Sequence, residues 1–187
     1  MEIREVVRDL ADAFQAVDSG RAQHKNFQPG IGPFGEAQAV GAALAELQRN
    51  KPDVYQSAVV KRIPDLLIPG HWALEFKIVR PFGDNGMPAE HWSENILHPY
   101  PGNTSSLGDC LKLLEYGLAE RKAVVILGFE HCPSQVSIDP AIVAFELLAA
   151  SVVRVKLGPR TEEARRDLVH PVHQQIRVIA YEVLGRV

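Results

Sequence analysis

The stretch Pro64-Asp65-Leu-Leu-Ile-Pro-Gly-His-Trp-Ala-Leu-Glu75-Phe-Lys77 decides how the middle of this chain folds. Its central Pro69-Gly70 is a turn signal with apolar residues on both sides, so the stretch predicts two antiparallel strands joined by a tight turn. Successive side chains of a strand point to opposite faces, which puts Glu75 and Lys77 on the same face. Asp65 and Glu75 each lie five positions from the glycine, and we therefore expect their carboxylates to stand side by side.

The segments around these two strands alternate between helical and extended patterns. Apolar spacing predicts helices at about residues 2–18, 36–48, 107–120 and 141–150, and strands at 55–61, 63–68, 71–80, 123–129, 151–157 and 175–183. Residues 81–106 hold four of the thirteen prolines and predict a long irregular loop of the kind that is often functional. No repeat or domain boundary interrupts the pattern, so we expect a single domain over residues 1–187.

The composition narrows the class of protein. An apolar share of 46% and a charged share of 23% in 187 residues are typical of an ordinary globular domain. The apolar runs are too short to span a bilayer and the N-terminal segment lacks the order of a secretion signal, so we expect a cytoplasmic protein without membrane contact. Two cysteines, Cys110 and Cys132, are too few for a disulfide framework or a four-thiolate zinc site. A net charge of -3 argues against a protein that coats nucleic acid indiscriminately.

Two adjacent carboxylates beside a lysine suit the hydrolysis of phosphodiester bonds. Asp65 and Glu75 can share a hard cation, and Mg²⁺ fits because it takes oxygen ligands and usually only one or two protein carboxylates. The remaining coordination positions are then left for water and a substrate phosphate. Lys77 would orient or help to deprotonate the attacking water and offset the charge that develops on the phosphorus centre.

Pro64-Asp65, nine intervening residues and Glu75-Phe76-Lys77 resemble the signature of the PD-(D/E)xK nuclease superfamily. The predicted order of a helix, three strands, a helix and a strand is similar to the core of that family. The resemblance implies an α/β restriction-endonuclease-like fold, with a mixed central sheet flanked by helices, Mg²⁺ or Mn²⁺ as cofactor and DNA as substrate. It also implies that the backbone carbonyl of Phe76 is a further metal ligand, and that Glu36 on the first core helix is a further catalytic residue. The implied context is restriction in bacterial defence, or DNA processing.

The loop over residues 91–104 mixes aromatic, imidazole and amide side chains, which suits stacking on bases and bonding to phosphates. It makes Trp92, Tyr100 and Asn103 candidate substrate contacts, although aromatic anchors that pack on the core explain the same pattern. Lys112, on the following helix, is a fourth candidate, against the alternative of a solvated helix face. The chain shows no separate recognition domain, so specificity would come from this loop, a second subunit in a homodimer or a partner protein.

The C-terminal part carries a local excess of basic residues. These are Arg160, Arg165, Arg166, His170, His173 and Arg177. They predict either a nucleic-acid-facing patch or a solvated helix that also includes Glu162, Glu163 and Asp167. Because a proline separates His170 from His173 and breaks helical geometry, we predict no structural zinc site there.

Two alternatives to a nuclease stay open on the sequence. The first is a catalytically inactive interaction or nucleic-acid-binding subunit of a larger system that keeps the nuclease fold. The second is another α/β protein in which the motif is accidental and Asp65 never meets Glu75. A shared metal is ruled out if their carboxylates lie more than about 7–8 Å apart, because each must approach one ion to roughly 2.1 Å.

Overall fold

The computed structural model describes residues 1–99 and 105–186, which form one seven-stranded mixed sheet with helices on both faces. The helices are α1 (Ile3–Ser19), α2 (Glu36–Asn50), α3 (Pro52–Tyr55), α4 (Glu94–Leu97), α5 (Ser106–Glu115) and α6 (Asp139–Ser151). The strands are β1 (Val59–Val60), β2 (Leu66–Ile68), β3 (Trp72–Val79), β4 (Arg121–Glu130), β5 (Val155–Leu157), β6 (Thr161–Arg165) and β7 (Gln175–Arg186). The predicted α/β class, with a mixed sheet flanked by helices, is confirmed.

The sheet places β3 at the junction of its antiparallel and parallel parts. Its strand order is β1-β2-β3-β4-β7-β5, and β6 also pairs with β7. The pairs β1–β2, β2–β3 and β4–β7 are antiparallel, whereas β3 and β4 are parallel. Parallel neighbours need a long crossover connection, and residues 80–120 supply it with α4 and α5. The functional side chains of β3 therefore face a connection that returns over the sheet.

The two faces of β3 belong to two separate apolar layers. Leu74, Phe76 and Ile78 are buried against α1 and α2, whereas Ala73 and Val79 are buried against α5 and α6. Each large apolar side chain buried in this way contributes about 1.5–3 kcal/mol relative to an exposed position. Glu75 and Lys77 alternate with the first set and so point to the α5 face, as strand geometry requires. None of the helices in the described ranges is long and apolar enough to cross a membrane.

Several predicted elements differ from the structure, among them two strands that start later than predicted, β2 at Leu66 instead of residue 63 and β5 at Val155 instead of residue 151. Of the strand predicted at 55–61, only Val59–Val60 is a strand in the structure, because Pro52 begins a short helix that includes Tyr55. The helix predicted to reach residue 120 ends at Glu115, and Gly117, a poor helix former, follows shortly after. The solvated helix considered for the charged segment after Arg160 is wrong, because that segment pairs with β7 as β6. Pairing with a twelve-residue strand overrides the helical propensity of its Glu and Ala residues.

A buried aspartate fixes the loop that leads into α2. Asp18 Oδ1 accepts a hydrogen bond from the Ile31 amide at 2.9 Å, and its Oδ2 accepts one from the Val169 amide at 2.7 Å. The guanidinium of Arg80, directly after β3, donates to the carbonyl of Phe34. These contacts hold Ile31 and Phe34 in place directly before α2 begins at Glu36.

Candidate functional site

The register of the β2–β3 hairpin places Asp65 beside Glu75. Leu66 pairs with Leu74, and Asp65, which directly precedes β2, lies next to the part of β3 that holds Glu75. Asp65 Oδ2 accepts a hydrogen bond from the Phe76 amide at 2.8 Å. Its carboxylate acts on Glu75 both through its charge and through a hydrogen bond. The structure thus brings these two predicted residues together.

The carboxyl group of Glu75 is strongly perturbed. It is 3% exposed, and its Oε1 has no hydrogen-bond partner among the residues that the structure describes. Burial first, and then the charges of Asp65 and Asp109, raise its pKa to about 8, while Lys112 acts in the opposite direction. At neutral pH the metal-free chain therefore holds this group mainly in its protonated form.

Lys77 contacts one residue at the start of α2 and one residue on α5. Its Nζ lies 3.4 Å from Oε1 of Glu36 at the start of α2, and 3.4 Å from Oδ2 of Asp109 on α5. Glu36 also accepts a hydrogen bond from the Ile78 amide at 3.2 Å, which fixes its carboxylate against β3. Burial raises the pKa of Glu36 and the charge of Lys77 opposes that shift. Glu36 therefore lies in contact with the predicted lysine.

Helix α5 adds one acidic and one basic side chain, Asp109 and Lys112, to the group formed by Asp65, Glu75, Lys77 and Glu36. Lys112 Nζ lies 2.6 Å from Asp109 Oδ1 and 3.6 Å from Glu75 Oε2. The Lys112 side chain is 30% exposed, and its ammonium group also faces the Glu75 carboxyl group. Asp109 is 1% exposed and was not predicted from the sequence. The available signal was its spacing, because a residue three positions before Lys112 shares that face of a helix.

An open cleft of about 530 Å³ lies beside Lys77, and Glu36, Arg80 and Trp92 also line it. Trp92 is half-buried. One part of its side chain packs against the α5–α6 apolar layer, and another part lines the cleft. The other two loop candidates, Tyr100 and Asn103, lie outside the described residues. A substrate in this cleft would contact Trp92.

The donor set fits Mg²⁺ or Mn²⁺. Asp65 and Glu75 offer adjacent hard oxygen atoms, and the Glu75 Oε1 atom is buried without a partner in the described part of the chain. A divalent cation between them would replace the proton of Glu75 and offset the repulsion between the two ionised carboxylates. The third predicted ligand, the Phe76 carbonyl, belongs to the next residue of β3, whose side chain lies in the opposite apolar layer.

A second polar group lies where three loops meet. One ligand atom each of Asp84, His170 and His173 lies within 4.8 Å of the others, and within the described ranges no other trio of acids, histidines or cysteines is so close. Both rings are almost fully buried, 4.7 Å apart and inclined by 19°. Burial lowers the pKa of His170, and it lowers that of His173 to about 4. Both imidazoles are therefore neutral at pH 7.

Hydrogen bonds assign the ring protons of this group. His173 Nε2 lies 3.0 Å from the Phe82 carbonyl and donates to it, which leaves Nδ1 as a free lone pair. His170 Nδ1 accepts from the amides of Val172 and His173, both at 3.2 Å, so its proton is on Nε2. A metal ion would bind all three residues only after His170 lost that proton. In this arrangement the group ties the loops together.

The basic residues near the C-terminus are largely neutralised by carboxylates. Arg177 contacts Glu130, Glu162 and Asp139 at 3.5, 2.7 and 2.6 Å. Arg165 pairs with Asp12 at 2.6 Å and with Glu163 at 3.2 Å. Arg160 pairs with Glu146 at 2.8 Å. These contacts offset the charge of three of the six basic residues, Arg160, Arg165 and Arg177.

The candidate site is therefore assembled from three parts of the sequence. The hairpin gives Asp65, Glu75 and Lys77, α2 gives Glu36, and α5 adds the Asp109–Lys112 pair. Comparisons of the chain with known protein families, with curated proteins and with solved structures gave no match.

Proposed function

We propose that this chain is a nuclease that hydrolyses phosphodiester bonds in DNA with Mg²⁺ or Mn²⁺, on a restriction-endonuclease-like fold of the PD-(D/E)xK superfamily. The observation that carries the proposal is the interaction of the Asp65 and Glu75 carboxyl groups, with Lys77 on the same strand face as Glu75. The order α2, β1, β2, β3, α5 and β4 supports it, because the same order characterises the core of that family.

Asp65 and Glu75 would hold the cation, together with the carbonyl of Phe76. When bound, such a cation polarises the phosphate and makes water a stronger acid. The carboxylates are positioned without it: the Phe76 amide holds Asp65, and burial in the strand holds Glu75. Little rearrangement is therefore needed for two oxygen atoms to converge on one ion.

Lys77 would act on the reacting groups. Its Nζ atom lies between Glu36 and Asp109, which restricts its position. From there it donates a hydrogen bond to the attacking water or to a phosphate oxygen, and its charge offsets the charge that develops in the transition state. Glu36 acts through Lys77 and is in that sense a positioning residue.

Lys112 and Asp109 would tune the carboxyl group of Glu75. The ammonium of Lys112 favours the ionised form of Glu75, and the carboxylate of Asp109 favours the protonated form. Asp109 also binds both lysines, which keeps their charges near the site. The pair adjusts how readily Glu75 becomes a ligand.

The test is cleavage of plasmid and linear DNA by the purified chain in Mg²⁺ or Mn²⁺. Asp65→Asn and Glu75→Gln should abolish cleavage, and Lys77→Met should lower kcat by about a hundredfold or more. Glu115→Gln is the matched control for Glu75→Gln, because it makes the same change on the exposed end of α5. Failure of the wild-type chain to cut DNA under varied metals and substrates would overturn the proposal.

The outer face of α6 favours a second candidate, an inactive nuclease-fold subunit that binds a partner. Val143 and Leu147 on that helix are 55% and 64% exposed and lie four positions apart, so they form one apolar stripe. A homodimer or a partner protein would cover it. Light scattering of the wild-type chain and of Leu147→Lys separates self-association from a monomer, and the cleavage assay decides whether the site is active.

A further inference from the structure

Arg80 is a partly buried cation with unused hydrogen-bonding capacity. One guanidinium N–H donates to the Phe34 carbonyl, while its buried Nε has no hydrogen-bond partner in the described part of the chain. Its carbon centre lies 5.4 Å from the centre of the Phe129 ring. Among residues 1–99 and 105–186 no carboxylate lies within ion-pair distance of it. Asp84 and Glu36 act on it only from further away.

The contrast with Arg177 shows what is missing. The Arg177 side chain is 11% exposed and contacts three carboxylates within 3.5 Å. Burying a charge is costly unless it is paired and hydrogen-bonded, and Arg177 meets that condition within the chain. Arg80 does not. Burial accordingly lowers the pKa of Arg80. An anion from outside the chain would supply the missing partner.

The position of Arg80 indicates which anion. It lines the same cleft as Lys77 and Glu36, directly after the end of β3. It follows Glu75 by five residues, which is about 16 Å along an extended chain. The cleft is lined by Lys77 and Arg80 but not by Asp65 or Glu75, so a phosphate in the cleft would neighbour one held between those two carboxylates.

We propose that Arg80 binds a backbone phosphate of the substrate strand that neighbours the phosphate to be cleaved. This inference rests on the proposed function for the identity of the substrate. The guanidinium is suited to the role because its planar fork can give two parallel hydrogen bonds to phosphate oxygens. The cleft beside Lys77 then orients the strand, and the scissile phosphate follows from that orientation.

Three acidic residues line the cleft and do not prevent this contact: Glu36 is paired with Lys77 at 3.4 Å, and the other two are exposed. Glu90 and Glu94 both lie at the exposed rim, where water and salt screen their charges. Glu94 also contacts His91 at 2.9 Å. The inner wall, by contrast, presents the charges of Lys77 and Arg80.

The test measures binding of a short DNA oligonucleotide with Ca²⁺ in place of Mg²⁺. We expect Arg80→Gln to weaken binding by roughly ten- to a hundredfold, the loss of one charged hydrogen-bonding contact, and Arg80→Lys to weaken it less. Arg166→Gln, the same change at an exposed position on the β6–β7 side, is the control and should change binding less than about twofold.

A scan of single neutral methylphosphonate linkages locates the contact. A methylphosphonate at one position next to the cleavage point should weaken binding by the wild-type chain. The same methylphosphonate should not weaken binding by the Arg80→Gln chain any further. Arg80→Lys takes the place of Arg80→Gln in both experiments if the glutamine variant does not fold. Equal binding by the wild-type chain and a folded Arg80 variant overturns the inference.

The binding result separates this inference from the proposed function. Arg80-dependent binding without cleavage supports the phosphate contact and counts against nuclease activity. Cleavage that is insensitive to Arg80 supports the nuclease and overturns the contact. A wild-type chain that binds no DNA overturns both.

Discussion

Lys112 on α5 faces Glu75 on β3, with 3.6 Å between the ammonium nitrogen and Oε2. The carboxyl group at this position is buried beside Asp65, so its ionisation is held in balance between one neighbouring cation and two neighbouring acids. The protonation of Glu75 therefore links stability, metal binding and activity.

The stability of the metal-free chain should fall as Glu75 loses its proton. The folded pKa, about 8, lies above the ordinary value of 4.5, so the group favours the folded state most below pH 4.5, and that contribution is lost as the pH rises to 8. The Glu75→Gln chain has no ionisable group at this position. Its free energy of unfolding should therefore rise relative to that of the wild type by up to about 1.4 kcal/mol for each unit of increasing pH between 4.5 and 8. Urea unfolding in EDTA at pH 5 to 9 measures it. A constant difference between the two chains would contradict the prediction.

Metal affinity should rise with pH. Binding requires the ionised form of Glu75, so we expect the affinity for Mg²⁺ to increase about tenfold per pH unit below pH 8 and then to level off. Calorimetry at pH 7 in buffers of different ionisation enthalpy should detect close to one proton released per ion. The Asp65→Asn chain lacks one of the two carboxylate ligands, so it should show neither the rise in affinity nor the proton release. Binding without proton release would exclude Glu75 as the ligand.

Replacement of Lys112 should move the pH profile of activity. The Lys112 charge lowers the pKa of Glu75, so Lys112→Met raises that pKa further and shifts the rise of kcat/KM to more alkaline pH. Lys112→Arg keeps the charge and should restore the wild-type profile. A residue that only supported the fold would lower activity at every pH without a shift, and that result would remove Lys112 from the site.

The buried histidines should make the chain sensitive to acid. The folded pKa of His173 is about 4, below the ordinary 6.5, so its contribution to stability is complete above pH 6.5 and is lost as the pH falls to 4. The expected loss is on the order of 3 kcal/mol. His173→Asn should flatten this part of the urea-unfolding profile, whereas His91→Asn, at an exposed position, should leave it unchanged. Equal slopes in all three chains would contradict the assignment.

The hairpin could be predicted from the sequence because its constraints are local. The Pro69-Gly70 turn fixes the register, and strand alternation then fixes the faces of Glu75 and Lys77. Gly70 adopts a φ of 72°, a conformation that suits glycine at a tight turn. The turn and the strand alternation of this short stretch are therefore enough to bring Asp65, Glu75 and Lys77 together.

Asp109 and the Asp84 group could not be found in the same way. Asp109 reaches the site through the rotation of α5 about its own axis, and the apolar spacing of a helix fixes that rotation only approximately. Asp84 and His173 are 89 positions apart and meet through loops that have no periodic pattern. Their proximity depends on the packing of the whole chain, which no local rule contains.

The two hydrogen bonds of Asp18 have a consequence for synthesis. One oxygen holds the loop before α2, and the other needs the amide of Val169, which is made 151 residues later. During translation the loop that sets the position of Glu36 therefore lacks half of its anchor until most of the chain has left the ribosome. The candidate site would therefore be completed late in synthesis, after the segment that contains Val169 has been made.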